Sequence, residues 1–275
     1  MAKIECPKNL IPFHNLVSRL YNRHSAHQVF SDFLEIIICC YAFQQMEERY
    51  FKIIARYKKE ELTVIAEMFA KIVVLYDDTI RSGRSLNWED WLGTYYEIVL
   101  QTNSKASGFG QFFTPKIVCD MSAKMLLTQE HAGKNLKIND NCCGSGRMIL
   151  AANAVAPGNL FFAEDLDPMC VNLTAVNFLF HGVDGQIVCR NSLNPLSWEF
   201  GYEIYKIPMM EKSMPVIREI EKEQSFVYLM DKDFRERATQ KTETETIIVP
   251  KTTSYTIPKK PVTEKTKELH QLSLF

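Results

Sequence analysis

No run of apolar residues in this 275-residue chain is long enough to cross a membrane. The best stretch, residues 33–43, is short and interrupted by Glu35, so it predicts a buried helix segment. The opening MAKIECPKN lacks the apolar core of a secretory signal. CxxC spacing is missing too, although the chain holds eight cysteines, with Cys39 next to Cys40 and Cys142 next to Cys143. That arrangement excludes a zinc site and a secreted disulfide framework. The cysteines are expected to act as small apolar residues in a reduced, cytoplasmic protein. Excess charge of either sign is also lacking, the formal net charge being −1. Any contact with nucleic acid must therefore come from a local patch or a tether.

What is present divides into three parts. Residues 1–107 predict a helical N-terminal domain, poor in glycine and proline, with apolar residues returning every three or four positions. Ile65, Met68, Phe69, Ile72, Val73 and Tyr76 form one such stripe, ending near Gly83. Arg49, Lys52, Arg56 and Lys59 repeat at helical spacing. They read as a solvated helix face in preference to a track for phosphates.

Residues 108–230 change to short apolar strands alternating with helices, which predicts an α/β core on a parallel, doubly wound sheet. Strands are expected at 136–140, 160–164, 186–190 and 201–207, then a helix at 211–223 and a last strand at 226–230. Thr114-Pro115 and Asp167-Pro168 each set a capping oxygen before a proline and predict helix starts. Residues 231–275 turn to Thr, Lys, Glu and Pro with few apolar anchors, and predict a disordered C-terminal tail.

Two junctions in the core carry chemistry. After the first strand comes DNCCGSGR, residues 140–147, whose Gly144 and Gly146 permit a sharp turn and leave room for a ligand. The helix that follows offers free N–H groups to a carboxylate. The second strand ends in FFAEDLDP, where a carboxylate is placed to accept from ribose hydroxyls. Asp165 is the better candidate and Glu164 the alternative, while Asp167 is accounted for as a helix cap.

Read together, these segments resemble the adenine-N6 DNA methylases, the modification-subunit family of type I restriction systems. The turn Gly110-Gln111-Phe112-Phe113-Thr114-Pro115 is similar to that family's Gly-Gln-Phe-aromatic-Thr-Pro. Upstream, Asp90-Trp91-Leu92-Gly93-Thr94-Tyr95-Tyr96-Glu97 resembles its D-x-LG-x-x-YE segment. DNCCGSGRM, the EDLDP run ending at His181-Gly182, and VCRNSL at Asn191 resemble its next three motifs, in order. The resemblance implies a Rossmann-like class I methyltransferase core that binds S-adenosylmethionine. It implies that Thr114 touches the methionine end of the cofactor, and that Asp140, Gly144 and Gly146 form the loop around it. Asp165 would hold the ribose and Asn191 would face the adenine edge. His181, before Gly182, is expected to pack or cap rather than catalyse. DNA and a separate specificity subunit are the implied partners.

The departures concern the same site. Asn141-Cys142 replace the family's Pro-Ala, and Arg147 replaces a loop glycine, adding bulk there. The family's Asn-Pro-Pro-aromatic motif is missing. In that motif the carboxamide accepts the amine hydrogens of the base, and the aromatic ring stacks on the flipped base. Asn194 and Pro195 are the weak catalytic candidates, and residues 207–210, Ile-Pro-Met-Met, stand where the motif would follow a fourth strand. The chain ends in Gln271, Leu272, Ser273, Leu274 and Phe275, which resembles the bacterial sliding-clamp-binding pentapeptide. Two readings follow: a DNA adenine methyltransferase, or an inactive cofactor- or DNA-binding module tethered to the clamp.

Overall fold

The computed structural model describes residues 6–82, 86–101, 112–194, 196–209 and 212–246. The chain divides into two compact units, Met1–Phe234 and Arg235–Phe275. The clamp-like peptide at 271–275, with Gln271, Leu272, Leu274 and Phe275, lies outside the described residues, as do Gly110, Gln111 and Pro195.

The first unit opens with helices α1 (Ile11–Ser18), α2 (Ala26–Tyr41), α3 (Glu47–Ile54), α4 (Lys59–Arg81) and α5 (Trp91–Tyr95). Ser25 caps α2 by accepting from the Gln28 N–H at 3.1 Å, and the helix then buries Val29, Phe30, Phe33, Leu34, Ile37 and Ile38. Glu61 reaches back to the Lys58 N–H at 2.7 Å to start α4. Ile65, Met68, Ile72 and Tyr76 of the expected stripe are buried. Each such side chain contributes roughly 1.5–3 kcal/mol on burial.

The basic stripe does not form one free face. α3 stops at Ile54, and Arg49 pairs with Glu35 and Glu219 at 3.0 Å each. Arg56 pairs with the buried Asp32 at 2.5 Å.

Beyond these helices come α6 (Lys116–Leu126), β1 (Lys137–Asp140), α7 (Arg147–Val155), β2 (Leu160–Asp165), α8 (Pro168–His181) and β3 (Gly185–Cys189). The chain then forms a hairpin of β4 (Phe200–Met209) and β5 (Lys212–Ile220), followed by α9 (Phe226–Thr246). The sheet order is β1-β2-β3-β4-β5. β1, β2 and β3 are mutually parallel, whereas β3-β4 and β4-β5 are antiparallel. Alternation along β2 divides the packing: Phe161 and Ala163 join the main core, and Phe162 turns to the opposite face with Val188 and Val227. α8 is buried nearly all round, with apolar residues on every side. One continuous core runs from Leu10 through α8 to Ile217.

Four expectations are corrected. The helix expected at 211–223 is strand β5, and the strand expected at 226–230 opens α9. Short apolar runs fit either period, and here long-range pairing and a cap decided. β5 zips onto β4, while the Ser225 hydroxyl accepts from Tyr228 N–H at 3.4 Å to start a helix. The tail expected to be disordered from 231 is helical as far as Thr246. Finally, the doubly wound parallel sheet is parallel only in its first three strands. β4 covers the expected fourth strand but runs antiparallel, so residues 207–209 lie at the edge opposite the ends of β1, β2 and β3. A motif placed there could not reach a site at those ends.

Candidate active site

The loop after β1 turns on two left-handed glycines, Gly144 at φ +55° and Gly146 at φ +85°. A Cβ on Gly144 would sit 2.9 Å from the Phe113 ring, and one on Gly146 would sit 3.0 Å from Thr174. Two second-strand groups tie the loop down. Asp165 accepts the Gly144 N–H at 2.8 Å, and the Cys143 N–H donates to the Glu164 carbonyl at 2.9 Å. The Thr174 hydroxyl donates to the Gly144 carbonyl at 2.9 Å. Asp165 also accepts from the Asp167 N–H at 3.0 Å, and Asp167 caps α8 through Met169 N–H at 2.9 Å. Thr114 makes no such cap: α6 begins at Lys116 with Pro115 as its cap residue and no side-chain bond there.

In front of the loop lies a cavity of about 340 Å³, within the range of small-ligand sites. Thr114, Asp140, Gly144 and Ser145 line it beside Phe112 and Phe113. Asp140 accepts from the Cys142 N–H at 3.2 Å. Burial raises its carboxyl above the ordinary range, the Cys142 N–H partly offsets this, and the charges of Asp165 and Glu164 add to the rise.

Glu164 turns away from the cavity. It is buried in an ion pair with Arg190, which also reaches Asp231 at 2.6 Å, and it accepts from the Asn139 carboxamide at 3.0 Å. Its role is to join the ends of β2 and β3.

Arg147 lines the cavity, so its bulk does stand at the site. Its guanidinium is held by Asp90 at 2.8 Å and Glu97 at 3.2 Å, with its carbon 5.2 Å from the Phe113 ring centroid. Asp90 is the hub of this layer. It accepts from Gly93 N–H at 2.8 Å, Ser145 hydroxyl at 2.5 Å and Asn177 carboxamide at 2.8 Å, besides Arg147. Glu97 also takes the Phe113 N–H at 3.2 Å. The helical segment thus fixes the Phe113-Thr114 turn against the glycine loop through three buried or half-buried charges. The residues of this hub were visible in the resembling segments, but their mutual contact was not.

Asn191 and Asn194 do not join the cavity. The Asn191 carboxamide accepts from Leu193 N–H at 3.0 Å in a local turn after β3, and the exposed Asn194 does the same for Leu196 N–H at 3.4 Å. The cavity lining contains no asparagine among the described residues. His181 packs as expected. Its Nδ1 bonds the Asn177 carbonyl at 2.8 Å and its Nε2 accepts from Glu89 N–H at 3.4 Å. Burial lowers its pKa to about 4. No cluster of three or more metal-binding side chains occurs among the described residues, and no helix there is long and apolar enough to cross a membrane.

A strand-helix-strand-helix-strand unit, with a glycine loop after its first strand and a carboxylate at the tip of its second, defines a Rossmann-like α/β fold. Residues 87–217, just under half of the chain and all of the site, match the family described as N-6 DNA Methylase. Among solved structures the chain is similar to the type I restriction-modification system methyltransferase subunit from Streptococcus thermophilus. That match has 22% identity and a TM-score of 0.32, and it covers 62% of this chain and 36% of the other. The chain therefore spans about a third of that subunit's length. No curated protein matches.

Proposed function

We propose that this chain is a member of the adenine-N6 DNA methylase family whose core binds S-adenosylmethionine. The observation that carries the reading is the Asp165 carboxylate bonded to Gly144 N–H, closing the second strand onto a left-handed glycine loop that faces a cavity. Bound there, the cofactor would supply an electrophilic methyl group. Thr114 and the loop of Asp140, Gly144 and Gly146 would hold its amino-acid end, and Asp165 has lone pairs left for ribose hydroxyls. Gly144 is covered by Phe113, so the ring must give way for a ligand to lie against that glycine. Phe113 is backed by Arg147 and Tyr96, which limits how far it swings.

Catalysis by the isolated chain should be weak. Among the described residues no carboxamide lines the cavity to accept the hydrogens of a base amine, and the Asn194 side chain already serves its own turn. This favours a second reading, a cytoplasmic module that holds cofactor or DNA and works with other chains. DNA and a separate specificity subunit would be its partners, and residues 271–275 would deliver it to a bacterial sliding clamp.

Calorimetric titration with S-adenosylmethionine and its demethylated product tests the first reading. Micromolar binding is expected, weakened about tenfold or more in Asp140→Asn. Absence of heat at millimolar cofactor would overturn it. A methyl-transfer assay on DNA separates the two readings, and robust adenine-N6 methylation would exclude the second. For the clamp, a peptide ending in QLSLF should bind purified clamp while its Leu274→Ala, Phe275→Ala form does not.

A further inference from the structure

Among the described residues that line the cavity, two bring a charge to it: Asp140 from the tip of β1 and Arg147 from the first turn of α7. Burial holds the Cys142 and Cys143 thiols above their ordinary pKa, so at neutral pH they add none. Asp90 and Glu97, which hold the guanidinium, are not among the lining residues. The described wall therefore presents one negative and one positive group to whatever enters.

The Arg147 guanidinium is used unevenly. Its Nε donates to Asp90 at 2.8 Å, and its Nη2 serves Glu97 and the Thr94 hydroxyl, both at 3.2 Å. Nη1 has a poorer partner, the Thr114 carbonyl at 3.5 Å, at the outer limit of a hydrogen bond. Thr114 also lines the cavity, so this weakly engaged end of the guanidinium stands at the cavity wall. The side chain is only 11% exposed, which makes a poorly met donor there costly. Nor do the carboxylates behind it cancel its charge. Asp90 divides its own among four donors, and Glu97 also accepts from Phe113 N–H. An ion-pairing role accounts for Nε and Nη2 and leaves Nη1 without a strong acceptor. α7 starts at Arg147 with no side-chain cap, so the partial positive charge of its first turn adds to that of the guanidinium.

A carboxylate and a guanidinium in one cavity wall suit a zwitterion, the head of an α-amino acid. Its ammonium would be drawn to Asp140 and its carboxylate to Arg147. We infer that Arg147 is a ligand-binding residue that takes the carboxylate of an amino-acid head through Nη1, and so makes the cavity select ligands carrying that group. The position holds a glycine in the family that this chain resembles, so the contact belongs to this chain. The inference rests on the cofactor reading for the nucleoside part of the ligand, and on the charges of the wall for the amino-acid part.

Calorimetric titration of the full chain tests it with two pairs of probes. One pair is S-adenosylmethionine and its decarboxylated form, the other L-methionine and 3-(methylthio)propylamine, and each pair differs by the carboxylate alone. The carboxylate-bearing member should bind about tenfold to a hundredfold more tightly, the span of a hydrogen bond to a charged group. Arg147→Lys keeps a cation beside Asp90 but has one nitrogen in place of three, and should shrink that preference to within about threefold. The wild-type pairs need no substitution. Equal binding of S-adenosylmethionine and its decarboxylated form overturns the inference and leaves the cofactor reading standing, as does an unchanged preference in Arg147→Lys. A preference within the methionine pair, with neither nucleoside bound, upholds the inference and removes the cofactor reading. Absence of heat from all four probes at millimolar concentration overturns both.

Discussion

β1, β2 and β3 run in one direction, and the sheet residue that lines the cavity, Asp140, stands at the end of β1. β4 runs back from the ends of these three strands and β5 returns toward them, so Met209 and Lys212 lie at the opposite side. The parallel half also contains the costly groups: Asp90, Glu164, Arg147 and Arg190 are all buried and paired. In the hairpin the corresponding pair, Arg218 with Glu203, is exposed to half-exposed. Charges are taken out of water where a loop must be held in one geometry, and left in water where the strand only extends the sheet.

Four measurements test that contrast. Asp90→Ala leaves Arg147, Ser145 and Asn177 without their shared acceptor, and should cost about 3–5 kcal/mol by urea unfolding. A loss below about 1 kcal/mol would mean that water replaces the carboxylate and that the hub is dispensable.

The next largest effect is one of pH. His181 has a folded-state pKa of about 4 against an ordinary 6.5, so the unfolded chain takes up a proton first as pH falls. Stability is complete above about pH 6.5 and declines until about pH 4, by at most about 3 kcal/mol. His181→Gln should flatten that slope in unfolding curves taken across the same interval, and an unaltered slope would assign it to other groups.

Gly144→Ala forces a side chain into a left-handed conformation and against Phe113, at a cost of about 1–3 kcal/mol. Its thermal midpoint should fall, and any cofactor binding should fall with it. Arg218→Ala should cost less than about 1 kcal/mol, since an exposed pair is screened by water and salt. A larger loss would show that the hairpin depends on charge as much as the parallel half does.

The elements around the site were readable because their signals are local. A glycine with positive φ, a carboxylate at a strand tip and an Asp-Pro helix start each act within a few residues, and Gly144, Asp165 and Asp167 stand in those roles. The cap expected of Thr114 failed because Pro115 took the boundary position. Asn191 and Asn194 were named from motif order, and both spend their carboxamides on the next turn, a competing local bond open to any asparagine.

Periodicity by itself determined that a helical segment precedes an α/β core, and punctuation by glycine and proline placed its three parallel strands to within a residue or two. Tertiary structure alone decided the direction of β4, the strand at 212–220, the helix at 226, and the partners that hold the Arg147 guanidinium. The reason is the range of the forces. A turn or a cap is satisfied by neighbours in sequence. Strand direction and the choice of partner for a buried charge depend on groups brought together from far along the chain, such as Asp90 and Arg147, 57 residues apart.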